Sequence, residues 1–333
     1  MYHPTTDRRV AALIEWLNGS LELQIQRIAP ASSDASFRRY FRVSHKNGCD
    51  IVMDAPPDKE TTESFVRVAE LLRAAGIHAP SVYRQNRSLG FLLLEDLGSR
   101  CFLDAIDSVN ADDLYQSALN SLFKLQTNID IVDSGLPAYD HALLERELGI
   151  FYEWFLEKLL GNVLPHAIRQ SVDVLLIDNA LEQPRVCVHR DYHSRNLMLL
   201  AQDSPGVIDF QDAVVGPVTY DLVSLLRDCY ISWPEQRVVD WSRGYYQRLY
   251  EAGIVEVSFD RFTRWFDLMG LQRHLKAVGI FSRLHLRDDK SGYLADIPRT
   301  MAYISEICGR YSELAEFDAF VRQQILPVYQ SYL

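Results

Sequence analysis

Three polar side chains stand at the edges of short apolar runs in the stretch from Val188 to Phe210, VHRDYHSRNLMLLAQDSPGVIDF: Asp191, Asn196 and Asp209. Asp191 follows a β-like run and falls in a loop, where a carboxylate can face a cleft rather than a core. Asn196 comes five residues later, at the start of an apolar segment, and Asp209 closes the next one. Pairing NLMLL with GVIDF as a hairpin around Gln202–Gly206 sets Asn196 beside Asp209 at its open end. A carboxylate and a carboxamide side by side are hard oxygen donors suited to Mg²⁺. Asp191 is then left clear of the metal, placed to orient a hydroxyl and take its proton. A hydroxyl nucleophile, Mg²⁺ and a free carboxylate are the working parts of phosphoryl transfer. Taken singly, each residue has a plainer use as a turn Asp, an Asx-turn residue or a strand-end cap. Their joint spacing, with Asp221 further on, favours the chemical reading.

The elements that must position these groups follow from the pattern around them. DRRVAALIEWLN (7–18) has helical spacing and is closed by Gly19. LELQIQRI (21–28) alternates, FRRYFRV (37–43) is aromatic and β-branched, and CDIVMDA (49–55) ends at two prolines, so three strands are expected. A helix over 60–76 and strands over 80–85 and 90–97, joined by an Asn-containing turn, complete this first part. Beyond Gly98 the pattern is helical near 111–127, 139–160, 163–181, 219–231, 234–252, 259–285 and from 297 onward. Only 184–191, 196–200 and 206–210 read as strands there, and they are the segments that carry the polar triplet. The boundary between the two parts is placed at Leu97–Arg100.

Bulk composition narrows the classes of function. The 333 residues fit two domains or one bilobal unit at about 100–200 residues per domain, and 48% apolar content is ample for a core. A net charge of −11 argues against a nucleic-acid partner, which needs a basic face, but not against a nucleotide enzyme with one basic pocket. Five cysteines, odd in number and without a C-x-x-C pair, suggest reduced thiols rather than a disulfide framework or zinc site. The N-terminus lacks the apolar core of a secretory signal, and no run approaches the roughly 18 apolar residues of a membrane span. A cytoplasmic protein without a membrane partner is expected, and a monomer.

His189-Arg190-Asp191, Asn196 and then Ile208-Asp209-Phe210 resemble the catalytic loop and metal-binding Asp of protein kinases. The resemblance is closer to the aminoglycoside and choline phosphotransferases, which usually lack the Gly after the metal Asp; here Gln211 follows Phe210. Gly216-Pro217-Val-Thr-Tyr220-Asp221-Leu222 resembles that family's G-x-x-x-x-D-L. The resemblance implies an α+β, bilobal protein-kinase-like fold, with a small antiparallel-sheet N-lobe over 1–98 and a larger, mainly helical C-lobe over 99–333 holding the catalytic hairpin and acceptor site. It implies Mg·ATP as phosphoryl donor, Asp191 as catalytic base, Asn196 and Asp209 as metal ligands, and Asp221 as support for the loop. His189 is expected to pack under that loop. Adenine is expected against the connection between the lobes, near the backbone of Glu95 and Leu97. The turn containing Ser32, Ser33 and Ser36 occupies the phosphate-loop position without any glycine. One departure is larger: the third strand should carry a Lys or Arg for the phosphates, and Met53 or Asp54 stands there. Arg38, Arg42 and Lys59 are possible substitutes, and Glu63 and Glu70 are left as helix carboxylates without that partner. Two readings stay open, an active kinase with a rearranged clamp and a non-catalytic, nucleotide-binding pseudokinase.

The loop, the run IDFQDAVVGPVTYDLVSLLRD and LQRHLKAVGIFSRL (271–284) together resemble the anomeric amino-sugar kinases of bacterial cell-wall recycling. That resemblance implies phosphorylation of the C1 hydroxyl of N-acetylmuramate and N-acetylglucosamine, giving a sugar 1-phosphate for UDP-N-acetylmuramate synthesis and peptidoglycan recycling. His193 and Arg195, with Tyr192, lie between base and metal ligand, where an acceptor approaches. Arg195, Arg273 and Arg283 are candidates for the lactyl carboxylate of N-acetylmuramate, and Gln272 and His274 for sugar hydroxyls or the acetamide. The alternative is phosphorylation of an aminoglycoside or another small-molecule hydroxyl. The basic QRHLKAVGIFSRLHLR segment argues against a polycationic acceptor.

Overall fold

The computed structural model describes residues 7–32, 37–202 and 204–332. Helix α1 (Arg8–Glu15) begins where the Asp7 carboxylate accepts from the N–H groups of Arg9 and Val10, at 3.0 and 3.2 Å. Val10, Leu13 and Leu17 recur at helical spacing and are buried. The next stretch departs from expectation, because strand β1 (Arg27–Ser32) starts six residues later than the alternation at Leu21 suggests. Glu22 and Gln24 take left-handed backbone (φ 54° and 52°), and the N–H groups of Leu23 and Ile25 bond to the Leu17 carbonyl and the Asn18 carboxamide. Alternation still sorts the side chains, since Leu21, Leu23 and Ile25 pack on the core beside α1. Bonds to the end of the preceding helix replace the ladder.

The chain continues through β2 (Arg39–His45), β3 (Gly48–Asp54), α2 (Glu63–Ala74), β4 (Val82–Asn86), β5 (Phe91–Glu95) and α3 (Phe102–Ala105). The five strands form one antiparallel sheet in the order β1-β2-β3-β5-β4. Phe41, Val43, Val52, Phe91 and Leu93 join Val10, Leu13 and Leu17 in a buried cluster, so alternate strand positions face α1. Gly90 makes the entry to β5 possible: its φ is +71°, and a Cβ there would stand 1.8 Å from the Ala55 carbonyl oxygen.

The rest is mostly helical. It comprises α4 (Ala111–Asn128), α5 (His141–Ile150), α6 (His166–Leu181), the short strands β6 (Arg185–Val188), β7 (Leu197–Met198), β8 (Gly206–Val207) and β9 (Val214–Pro217), then α7 (Tyr220–Leu226), α8 (Glu235–Glu251), α9 (Phe259–Asp288), α10 (Ile297–Arg310), α11 (Ala315–Phe320) and α12 (Leu326–Tyr332). Strand β9 falls where only a connection is expected; it pairs with β6, with Val188 opposite Val214. Helix α9 runs closest to the end of α5, because Gly279 has no side chain: a Cβ would lie 2.6 Å from the Ile150 carbonyl. That approach fixes the helix that carries Arg273 and Lys276.

The α+β architecture, a small antiparallel sheet and a larger helical portion, is the one expected. The chain divides into two compact units, the described part of Met1–Asp107 with Asn196–Asp212, and Ser108–Arg195 with Ala213–Leu333. The first division falls after Asp107. Residues 196–212, read above as part of the second lobe, group with the sheet, where Val207 and Leu199 donate N–H bonds to the carbonyls of His78 and Arg100 (2.8 and 2.9 Å). No helix among the described residues is long and apolar enough to cross a membrane.

Candidate active site

In the helical unit, β6 delivers His189, Arg190 and Asp191 into a loop held by two buried aspartates. Asp221, in the first turn of α7, accepts from the N–H groups of His189 and Arg190 at 2.6 and 2.9 Å. Burial pushes its carboxyl up to about 7, against the pull of those two donors. Arg190 is thereby kept in left-handed backbone, with φ at 78°. Asp228, which no sequence pattern singles out, accepts from Ser194 N–H and Oγ (2.9 and 2.5 Å) and from Tyr230 N–H (2.9 Å). His189 is buried, and its Nδ1 accepts from the Asp191 N–H at 3.2 Å, which fixes the ring as the Nε2–H tautomer if neutral. Tyr192 is buried and donates to the Ala118 carbonyl at 2.8 Å.

Asp191 opens on a cavity of ≈ 430 Å³, solvent mouth included, whose walls include Tyr220, Tyr230, Arg273, Lys276 and Phe281. Burial alone would raise the Asp191 carboxyl, but Lys276, then His193, His189 and Arg190, outweigh it and hold the group below the ordinary carboxylate range. His193 lines the same cavity and is lowered, burial being the main cause, so its ring stays neutral at pH 7. Arg190 and Lys276 share the buried carboxylate of Glu147, at 2.5 and 2.9 Å. Glu147 is held below its usual range although burial opposes it, because Lys276 and Arg190 prevail.

Several expected contacts fall elsewhere. Gln272 is buried but turned away from the cavity, donating to Tyr139 Oη at 3.0 Å and to Glu147 at 3.4 Å. His274 bonds the Arg227 carbonyl at 2.8 Å and stacks on Tyr303, and burial lowers it to about 3. Arg195 does not line the cavity; it lies over the Tyr230 ring, 3.8 Å from its centroid, and so backs one wall. Arg283 is outside it too. Arg273, a candidate for which a surface ion pair is the plainer use, is instead buried and lines the cavity. Sequence reasoning passes over Lys276 and Glu147. Lys276 shares a face of α9 with Arg273 and Ile280 at helical spacing, a signal that was available.

In the sheet unit, β7 and β8 pair as the expected hairpin, only two residues long on each side, with Leu197 opposite Val207. Asn196 Nδ2 donates to Asp209 Oδ2 at 3.3 Å, and Gln211 Nε2 to Oδ1 at 2.8 Å. Asp209 sits in left-handed backbone (φ 65°), and Phe210 is buried against Phe65 of α2, ring centroids 4.8 Å apart. Among the described residues no three His, Cys, Asp or Glu side chains cluster to hold a metal alone. One carboxylate and one carboxamide fit Mg²⁺, which keeps waters and takes phosphate oxygens for its other positions.

Glu95 is occupied structurally: its carboxylate meets His78 Nε2 at 3.0 Å and accepts from Ser81 N–H and Oγ, and its own N–H goes to the Ser81 carbonyl. Burial raises this carboxyl, but His78 and Ser81 bring it below its usual range. The Leu97 backbone has no internal partner among the described residues, so of the two it is the one with groups to offer a ligand. On β3, Met53 is buried, and Asp54 faces α1, paired with Arg9 and Arg39 at 2.5 Å each. Arg42 is tied to Asp96 (2.6 Å) and the Gly98 carbonyl (2.7 Å), and Arg38 to Glu60 (2.9 Å). Ser33 and Ser36 lie outside the described residues, and Ser32 closes β1.

A five-stranded antiparallel sheet, a helical unit and an Asp-pinned His-Arg-Asp loop define a kinase-like phosphotransferase. A family model described as the phosphotransferase enzyme family matches residues 27–254, and the chain belongs to that family. It is 46% identical over 334 residues to an N-acetylmuramate/N-acetylglucosamine kinase of Pseudomonas putida, covering 96% of this chain and 98% of the relative. Among solved structures it resembles a choline kinase of Streptococcus pneumoniae, with a TM-score of 0.63 at 15% identity over 89% of this chain and 99% of that one. An ADP-bound aminoglycoside phosphotransferase has a TM-score of 0.57 at 16% identity, covering 89% and 98%.

Proposed function

We propose that this enzyme transfers the γ-phosphoryl group of ATP to the C1 hydroxyl of N-acetylmuramate and N-acetylglucosamine. The observation that carries the reading is Asp191, a half-buried carboxylate facing a cavity whose cations Arg190 and Lys276 help keep it ionised. Near-full-length similarity to a kinase named for those two sugars supports the acceptor. In this reading Asp191 takes the hydroxyl proton as the C1 oxygen bonds to the γ-phosphorus. The bond from that phosphorus to the bridging oxygen breaks, giving the sugar 1-phosphate and ADP. An anomeric hydroxyl is more acidic than an ordinary alcohol, so a carboxylate is base enough. Asn196 and Asp209 would hold Mg²⁺, which when bound neutralises charge on the phosphate oxygens. Asp221 and Asp228 keep the loop in place, and the Leu97 backbone is the proposed contact for adenine. The sugar 1-phosphate suits a following nucleotidyl transfer, as in UDP-sugar synthesis.

The cations around Asp191 count against a polycationic aminoglycoside, which needs an acidic pocket. Asp54 in place of a β3 lysine is the observation on the side of a non-catalytic protein. One assay separates these readings: ADP release with N-acetylmuramate, N-acetylglucosamine, its C1 methyl glycoside and kanamycin. Turnover of the two free sugars alone is expected. Turnover of the methyl glycoside would remove C1 as the acceptor, and silence with every compound would leave a nucleotide-binding protein.

A further inference from the structure

The cavity beside Asp191 contains three cationic side chains, Arg190, Arg273 and Lys276, and they are not matched alike. Glu147 takes Arg190 and Lys276 as ion pairs. Arg273 has no such partner: among the described residues no carboxylate lies within 4.0 Å of it, and its one hydrogen bond goes to the Cys229 sulfur at 3.6 Å. A thiol is a weak acceptor. The neighbouring Asp228 is committed elsewhere, one oxygen to Ser194 N–H and Oγ and the other to Tyr230 N–H. Arg273 is only 5% exposed, so water does not replace the missing anion. Asp228 and Asp191 favour its positive charge only from beyond ion-pair distance, so a ligand carboxylate would supply the direct pairing that this buried guanidinium lacks.

We propose that Arg273 is the seat of a substrate carboxylate and sets the preference for an acidic amino sugar over a neutral one. This rests on the cavity being the amino-sugar site. N-Acetylmuramate is N-acetylglucosamine with a lactyl ether on C3, so the two sugars differ by one carboxylate, and a planar guanidinium fork matches that group. Arg190 and Lys276 are less suited, since Glu147 already answers their charge.

The test needs no variant at first. With the unmodified chain, kcat/KM is measured for N-acetylmuramate and for its lactyl amide, a neutral analogue of nearly the same shape. The amide is expected to be about 10- to 100-fold poorer, the worth of a charge-assisted contact. In Arg273→Met the ratio between acid and amide should collapse toward one, and Arg273→Lys should restore part of it. Equal use of acid and amide by the unmodified chain, or discrimination that persists in Arg273→Met, overturns the assignment while turnover of N-acetylglucosamine leaves the proposed function standing. Turnover of neither sugar sinks both.

Discussion

In the sheet unit, positive side chains are fastened to carboxylates: Arg9 and Arg39 to Asp54, Arg42 to Asp96 and Arg38 to Glu60. In the cavity of the helical unit, one carboxylate pairs with two cations, and among the described residues no carboxylate lies at ion-pair distance from a third, Arg273. The first pattern holds a small sheet together. The second leaves a field that keeps Asp191 ionised despite its burial. The difference locates the chemistry, because cations already matched in the sheet have little left to give a phosphate chain. Where kinases carry a strand lysine, this sheet has Asp54 turned toward α1, so under the proposed function phosphate charge would fall more heavily on a metal at Asn196 and Asp209.

The largest effect should follow from breaking that metal pair. Asp209→Ala is expected to reduce turnover by at least about 10³-fold, and to remove the Mg²⁺ dependence of ADP binding measured by titration calorimetry. Retained Mg²⁺-dependent binding would take the metal away from Asp209. Next comes Asp191→Asn, which keeps the side-chain shape and removes the base. Its kcat should fall about 10²- to 10⁴-fold with nucleotide affinity unchanged, and normal turnover would dismiss Asp191 as the proton acceptor. On the sheet side the readout is stability instead. Asp54→Ala strips both Arg9 and Arg39 of a buried partner and should cost about 3 kcal/mol in urea unfolding. The low end of the range applies because both guanidiniums are about a third exposed and can turn to water. A change below about 0.5 kcal/mol would mean that the sheet does not depend on this ion cluster.

Much of the candidate site was legible because it is local. Asp191, Asn196 and Asp209 belong to short strands and turns, Asp221 to the first turn of α7 just after them, and the hairpin forms where the apolar runs place it. Legibility fails where a partner comes from far along the chain. Nothing near Lys276 in sequence announces Glu147, nor does anything near Ser194 announce Asp228. It fails again by a single position on α9: each step turns a side chain by about 100°, so Arg273 meets the cavity and Gln272 meets Tyr139. In the fold, the strands of the sheet were readable from alternation, yet the same alternation misled at Leu21–Gln26. There the Leu17 carbonyl and the Asn18 carboxamide, just past α1, offer partners that periodicity does not encode.

Lys276 gives the finest test of the contrast between matched and working charge. It is the largest of the influences that lower Asp191, and burial acts the other way. In Lys276→Met the opposition shrinks, burial gains, and Glu147 keeps its negative charge with Arg190 as its remaining close partner. Each change raises the Asp191 carboxyl. The base must be ionised to work, so the acid limb of kcat/KM should move to higher pH, read from a profile over about pH 4 to 8. Lys276→Arg preserves the positive charge and should leave the limb near its original place. If the limb stays put in Lys276→Met while the protein remains folded, Lys276 serves only to neutralise Glu147, and the ionisation of Asp191 depends on Arg190 and the loop around it.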